Sequence, residues 1–194
     1  MKQGHIFIIA GPSGVGKNSV IKELVTKHSG LVEVLSYTTR PQRHDDYEHK
    51  NRITISRAKF NQLINKRELA DWAEIHGQLY GKKKLDLKKA LHNGKNVIIE
   101  IDVQGLIPYK KQFPNIISFF LKYHSMTDML VRLKHTHPDM SQEEINRRIQ
   151  TARTEMKSAH LFNYQIITIN GQSPHIVALE IEKIIKEILA KQTL

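Results

Sequence analysis

Residues 11 to 19 read GPSGVGKNS, with Gly11, Gly16 and Lys17 in the register G-x4-G-K. A loop of this kind, entered from an apolar strand and opening a helix, aims backbone N–H groups and the positive helix end at one point. Phosphate oxygens are what that point attracts. Gly11, Gly14 and Gly16 let the backbone wrap closely, and Lys17 brings a point charge for the β- and γ-phosphates of a nucleotide. Ser13, Val15, Asn18 and Ser19 complete the stretch that ATP would occupy. Asn18 stands where the common pattern places a hydroxyl for Mg²⁺, and Ser19 offers that hydroxyl one position later. A glycine turn that merely enters a helix is the alternative.

Phosphoryl transfer also needs a second anion site, because the acceptor brings its own phosphate or nucleophilic oxygen. The segment SYTTRPQR, residues 36 to 43, supplies Arg40 and Arg43 around Pro41. Two arginines so placed can clamp a phosphate with forked, charge-assisted hydrogen bonds. Arg132 and the pair Arg147 and Arg148 flank a polar stretch, residues 134 to 142. Arginines on a closing segment can neutralise the charge of a transferring group. Any one of them could equally be a surface ion-pair partner; their number beside a phosphate loop is what favours chemistry.

A chain of 194 residues is long enough for one well-buried domain. It has no cysteine, so disulfides and thiolate metal sites are excluded. No apolar run approaches membrane-spanning length, and the N-terminal run is too short for a secretory core, so a cytoplasmic location is the expectation. The net charge of +11 favours anionic partners. Nucleic acid is not the expected one, because KKKLDLKK, residues 82 to 89, reads as an exposed helix face with no aromatic residues for base stacking.

These residues must be positioned by something, and the apolar pattern says what. Runs at His5–Ala10, Val97–Ile101 and Ile116–Leu121 alternate with helical patterns at Lys17–His28, Gln104–Gln112 and Thr127–His135. A further strand is expected at Gln165–Ile169 and a closing helix at Ser173–Lys191. This is the rhythm of a parallel sheet covered on both faces. From Ser36 to about Lys82 the rhythm breaks into shorter pieces: Ile53–Ser56, a helix over Arg57–Lys66, Leu69–Ile75 and Gln78–Tyr80. That stretch reads as an inserted α+β lobe. Residues 134 to 142 read as a loop, after which Ser141 and Glu144 form a capping box.

With these motifs in place the sequence resembles the guanylate kinases, small kinases that pass phosphate from ATP to GMP. The segments GPSGVGK, SYTTRPQR, WAEIHGQLYG, NVIIEIDVQG and EINRRIQTA occur in family order, and similarity spans about residues 4 to 164. The resemblance implies an α/β fold: a three-layer P-loop kinase with a parallel central sheet, an inserted α+β acceptor-binding lobe and a helical lid. The core would be residues 1–35, 83–133 and 148–194, the lobe 36–82 and the lid 134–147. Ser36, Arg40, Arg43 and Tyr80 would bind the acceptor phosphate, and Asp71 and Asp102 would face guanine. Lys17, Arg132 and Arg148 would serve the transferring phosphates. Ser19 and Glu100 would hold Mg²⁺, partly through water, with Asp102 the alternative carboxylate near the metal, although a helix–strand hydrogen bond explains Glu100 as well. Many small nucleotide kinases of the wider superfamily carry the loop's hydroxyl second after the lysine, as Ser19 does. ATP and GMP are the implied partners, with a monomer or homodimer as the implied assembly.

The departures from the family pattern gather in the acceptor lobe. Asn51 and Arg52 replace an Asp-Tyr pair, so Arg52 would hold phosphate from a different distance. Asp71 replaces glutamate and is one methylene shorter. Lys82 replaces a serine or threonine that donates to guanine O6; it either donates there itself or points to solvent, the second being the plainer expectation. Thr136 stands at a lid arginine position, and Asn170 comes late after the last strand. The stretch Asn51-Arg52-Ile53-Thr54-Ile55-Ser56 is similar to that of ribose 1,5-bisphosphate kinases. The alternatives to a GMP kinase are therefore a kinase for another phosphorylated small molecule, or a binding module with little turnover.

Overall fold

The computed structural model describes residues 3–27, 30–41, 52–75 and 77–191. In chain order the elements are β1 (Ile6–Ala10), α1 (Lys17–Lys27), β2 (Leu31–Glu33), β3 (Ser36–Thr38), β4 (Arg52–Thr54), α2 (Arg57–Asn65), β5 (Leu69–Ile75) and β6 (Gln78–Lys83). They continue with α3 (Lys84–His92), β7 (Asn96–Glu100), α4 (Leu106–Gln112), β8 (Ile117–Tyr123), α5 (Met126–Thr136), α6 (Gln142–Lys157), β9 (Tyr164–Thr168) and α7 (Pro174–Lys191). The fold is mixed α/β with a parallel central sheet, as expected, whose strand order is β2-β7-β1-β8-β9. The five residues of β1, IFIIA, are all buried, the pattern of a strand covered on both faces.

Contacts group the chain into two compact units. One comprises Phe7–Ser29, Glu100–Val103 and Ile117–Leu194. In it β1, β8 and β9 run parallel, with Phe7 opposite Ile117 and Phe119 opposite Tyr164. Helix α1 packs on α7, each turning its buried aliphatics inward: Val20, Ile21 and Leu24 on α1, and Val177, Ile181 and Ile185 on α7.

The other unit comprises Met1–Ile6, Gly30–Ile99 and Gln104–Ile116. It pairs β2 with β7 and adds a four-stranded sheet of order β4-β3-β6-β5. One face of that small sheet, with Tyr37 and Leu79, packs with Phe60 and Leu63 of α2 and with Leu69. Phe60 is fully buried. Burying a side chain of this size contributes about 1.5–3 kcal/mol, so α2 anchors the sheet it covers.

Several expected boundaries move for local reasons. Strand β4 stops at Thr54 because Ser56 caps α2, its hydroxyl accepting from the Lys59 N–H at 3.2 Å. The short strands β2 and β3 escape the periodicity reading, three residues being too few to display alternation. Strand β6 runs on to Lys83, and α3 begins only at Lys84. The reading of residues 82 to 89 as one exposed helix face is therefore corrected: Lys82 is only 9% exposed. Helix α5 also continues to Thr136, which shortens the expected loop at its front end. Ser141 caps α6 by accepting from the Glu144 N–H at 3.2 Å, while the Glu144 carboxylate engages Arg147 and Arg148.

Candidate active site

The donor side is built on the loop between β1 and α1. Strand β1 delivers the chain to Gly11, whose φ of 146° suits glycine, and a β-carbon there would run into the Leu121 carbonyl of β8. Gly16, with φ of 100°, lets the Arg132 guanidinium come within 3.4 Å of where a β-carbon would sit. The loop is then tied from outside. The Tyr123 hydroxyl at the end of β8 donates to the Ser13 carbonyl at 3.0 Å, and Arg132 of α5 donates from Nη1 to the Val15 carbonyl at 3.2 Å. These two ties fix the loop's course, and within it the Val15 N–H donates to the Pro12 carbonyl at 3.2 Å.

Lys17 arches back over the loop it opens. Its Nζ donates to the carbonyls of Gly11 at 2.8 Å and Pro12 at 3.2 Å, and lies 3.5 Å from the Glu100 carboxylate at the end of β7. Asn18 and Ser19 follow on the first turn of α1, both exposed, and Ser13 and Gly14 are exposed in the loop. Glu155 of α6 also serves this region. Burial pushes its carboxyl upward, the Lys17 charge pulls it down, Asp102 pushes it up, and the Ser13 amide favours the charged form. Burial likewise lifts Tyr123 to about 12, against the favourable charge of Arg132. Asp102, expected to face the acceptor base, is also one of the charges that act on Glu155.

Arg148 is half-buried and donates from Nε to Glu144 at 2.9 Å, while Arg147 grips the same carboxylate with two bonds of 2.7 and 2.8 Å. The two arginines, Arg147 foremost, hold the Glu144 carboxyl down at about 2. Thr136 donates its hydroxyl to the Arg132 carbonyl at 2.9 Å, capping the end of α5 where the family pattern has an arginine.

The acceptor-side residues collect on the small sheet in one row. Arg52 of β4 pairs with Ser36 of β3, Ser36 with Lys82 of β6, and Lys82 with Asp71 of β5. Residues paired across adjacent strands share a face, and Tyr80, two residues from Lys82, lies on it too, opposite Thr38. The other face belongs to the α2 core. Asp71 joins the row only because the register slips between Leu69 and Asp71, placing Ala70 as the extra residue of a bulge. Without that bulge Asp71 would move one place along and turn to the opposite face.

Lys82 does not point to solvent. Its Nζ lies 3.9 Å from Asp71 Oδ2, and its backbone N–H donates to Asp71 Oδ1 at 3.0 Å. Arg40 follows β3 with its backbone fixed at both ends: its N–H donates to the Thr38 hydroxyl at 3.0 Å and its carbonyl accepts from the Thr54 hydroxyl at 3.1 Å. Arg43 and Asn51 lie outside the described residues.

A family model described as guanylate kinase matches residues 3–188, a span that takes in both the phosphate loop and the acceptor row. The chain belongs to the guanylate kinase family. Among similar curated proteins, the guanylate kinase of Polaromonas sp. is 34% identical over 84% of this chain and 79% of its own length. That of Trichodesmium erythraeum is 32% identical over 86% and 89%, and that of Corynebacterium jeikeium 34% identical over 86% and 89%. In fold, the crystal structure of guanylate kinase from Anaplasma phagocytophilum superposes with a TM-score of 0.70 at 22% identity, covering 96% of this chain and 87% of that one.

For a guanylate kinase family member, the sequence reading passed over four residues that the structure brings to these groups. Tyr123 ends a parallel strand, where ligand crevices open, and could have been found on that ground. Glu155 follows Arg148 and Ala152 on one face of α6 at helical spacing. Tyr109 and Gln112 of α4 meet β5 only through tertiary packing, and no local signal marks them.

Proposed function

We propose that this guanylate kinase family member transfers the γ-phosphoryl group of ATP to GMP and dGMP, yielding ADP and the corresponding diphosphate. The observation that supports this most is the family match over residues 3–188, with Lys17 intact and seated over its loop. A phosphate oxygen of the acceptor forms the new bond to the γ-phosphorus, and the bond from that phosphorus to the leaving β-phosphate oxygen breaks. The attacking acceptor oxygen is already anionic, so no general base is needed, and catalysis comes from positioning and charge neutralisation.

In this reading residues 11–19 bind ATP, Lys17 leaves its two loop carbonyls for phosphate oxygens, and Arg132 and Arg148 neutralise charge as transfer proceeds. Ser36, Arg40, Arg43, Arg52 and Tyr80 hold the acceptor phosphate within the lobe at 36–82. Asp71 and Lys82 read the base, with Asp102 assisting. Residues 134–147 act as the lid. Among the described residues no group of three acidic or histidine side chains is preassembled for a metal. That fits Mg²⁺, which keeps most of its waters and takes one or two protein oxygens beside phosphate. The Ser19 hydroxyl and Glu100 carboxylate are oxygen donors of that kind on the donor side. Mg²⁺ bound with ATP there supplies charge neutralisation at the phosphates.

A coupled assay of ADP release with GMP, dGMP, AMP and ribose 1,5-bisphosphate as acceptors tests the proposal. Turnover with GMP and dGMP, and little with AMP, is expected. Turnover with ribose 1,5-bisphosphate alone, or GMP binding with no turnover at all, would overturn it.

A further inference from the structure

Tyr109 of α4 is a fully buried tyrosine whose hydroxyl has no hydrogen-bond partner among the described residues. A buried hydroxyl left unpaired is costly, and a phenylalanine of the same shape would avoid the cost. The ring itself is well seated, stacked on Phe113 with centroids 6.1 Å apart. What the oxygen adds must therefore come from a neighbour it addresses. Burial pushes the hydroxyl well above its usual range, and the next causes are the charge of Asp71 and the capacity of that carboxylate to accept from it. Asp71 is thus the carboxylate whose charge reaches this hydroxyl.

The surrounding geometry gives this pairing a purpose. Gln112, one turn along α4 from Tyr109, donates from Nε2 to the Ala70 carbonyl at 2.9 Å. Ala70 is the bulge residue that puts Asp71 in register with Lys82. One face of α4 therefore pins the bulge with an amide and addresses the next carboxylate with a hydroxyl. Asp71 meanwhile meets Lys82 twice, through the 3.0 Å bond from the backbone N–H and through the ammonium 3.9 Å away. The side chains of both are largely sequestered, Lys82 at 11% and Asp71 at 20% exposure.

We propose that Tyr109 is a positioning residue for acceptor recognition: its hydroxyl donates to the Asp71 carboxylate and fixes the angle at which Asp71 and Lys82 present an acceptor beside a cationic donor. A six-membered ring edge carrying a 6-oxo group next to an N1–H matches that pair, oxygen to ammonium and N–H to carboxylate. The adenine edge, with its 6-amino group beside a bare N1, presents the opposite order. The inference rests on the reading that Asp71 binds the acceptor base.

Tyr109→Phe removes one oxygen and keeps the ring, so it separates positioning from packing. The first readout needs no nucleotide: urea unfolding of the wild type, Tyr109→Phe, Asp71→Asn and the double variant. If hydroxyl and carboxylate form the proposed contact, the midpoint shifts of the single variants should not add in the double. Additive shifts overturn the contact whatever the acceptor is. The second readout is steady-state kinetics. Tyr109→Phe should raise the KM for GMP about tenfold, as expected for loss of a hydrogen bond to a charged group. It should also narrow the preference for GMP over AMP, leave the KM for ATP and kcat unchanged, and have no effect in the Asp71→Asn background. An unchanged KM for GMP overturns the positioning role. A wild-type enzyme that does not use GMP overturns the acceptor reading and this role with it, while the urea cycle still decides whether hydroxyl and carboxylate interact.

Discussion

At the scale of single residues, charge is held where the proposed chemistry needs phosphate. Lys17 bonds two carbonyls of its own loop and faces Glu100, so its ammonium is pre-aimed and loses little freedom when phosphate oxygens replace those carbonyls. Lys17→Ala should lower kcat about 10²- to 10³-fold, the usual cost of deleting one preorganised donor to a developing charge. GMP affinity, measured by calorimetry, should stay within twofold. Glu144 gives a pH signature instead. Its carboxyl stands at about 2 in the folded chain against an ordinary 4.5, because Arg147 and Arg148 favour the charged form. A depressed value means that its contribution to stability is complete above about 4.5 and is lost as pH falls toward 2. The stability difference between wild type and Glu144→Gln, followed by denaturation across that range, should shrink as pH falls. Solvent and salt screening keep the effect small, and high salt should diminish it further.

At the scale of elements, the small sheet carries the residues proposed to read the acceptor, and its geometry depends on close backbone approach. A β-carbon on Gly81 would lie 2.7 Å from the Asp71 carbonyl and 3.1 Å from Phe60 Cζ, neither of which can withdraw without moving β5 or α2. Gly81→Ala should cost about 1–3 kcal/mol in chemical denaturation, the range for overpacking. It should also raise the KM for GMP with the KM for ATP unchanged, because the strand it displaces holds Asp71. Equal effects on both substrates would show that strain spreads beyond the sheet. The donor loop shows the same dependence on elements: β8 supplies Tyr123, α5 supplies Arg132, and each ties down one loop carbonyl.

At the scale of the whole molecule, a net charge of +11 favours anionic ligands, and binding should couple to global stability. A ligand present at 100 times its Kd stabilises by about 2.7 kcal/mol. For a chain of this size that corresponds to a rise of roughly 5–11 °C in Tm. GMP at that level should produce such a rise in a thermal melt, and AMP at the same concentration should not. Equal shifts would mean that phosphate alone is recognised and the base goes unread.

The donor loop was legible in the sequence because it is local. Gly11, Gly16, Lys17, the apolar strand before them and the helix after them all fall within two dozen residues, and backbone sterics with apolar periodicity dictate the rest. The parallel rhythm of the core was legible for the same reason. The acceptor face was not. Lys82 belongs to a run of lysines that reads as solvent-facing, yet on β6, between Ser36 of β3 and Asp71 of β5, it is buried. Asp71 faces Lys82 only because a single-residue bulge at Ala70 shifts the register, and Gln112, 42 residues further along the chain, holds that bulge. Tyr109 carries no motif, and its hydroxyl acquires meaning from the carboxylate that α4 packs beside. Sequence alone determined that the chain can hold a nucleotide phosphate, since one contiguous segment builds that site. What the acceptor meets was decided by tertiary structure, because strand register and helix docking choose which side chains share a face, and neither is written in any one segment.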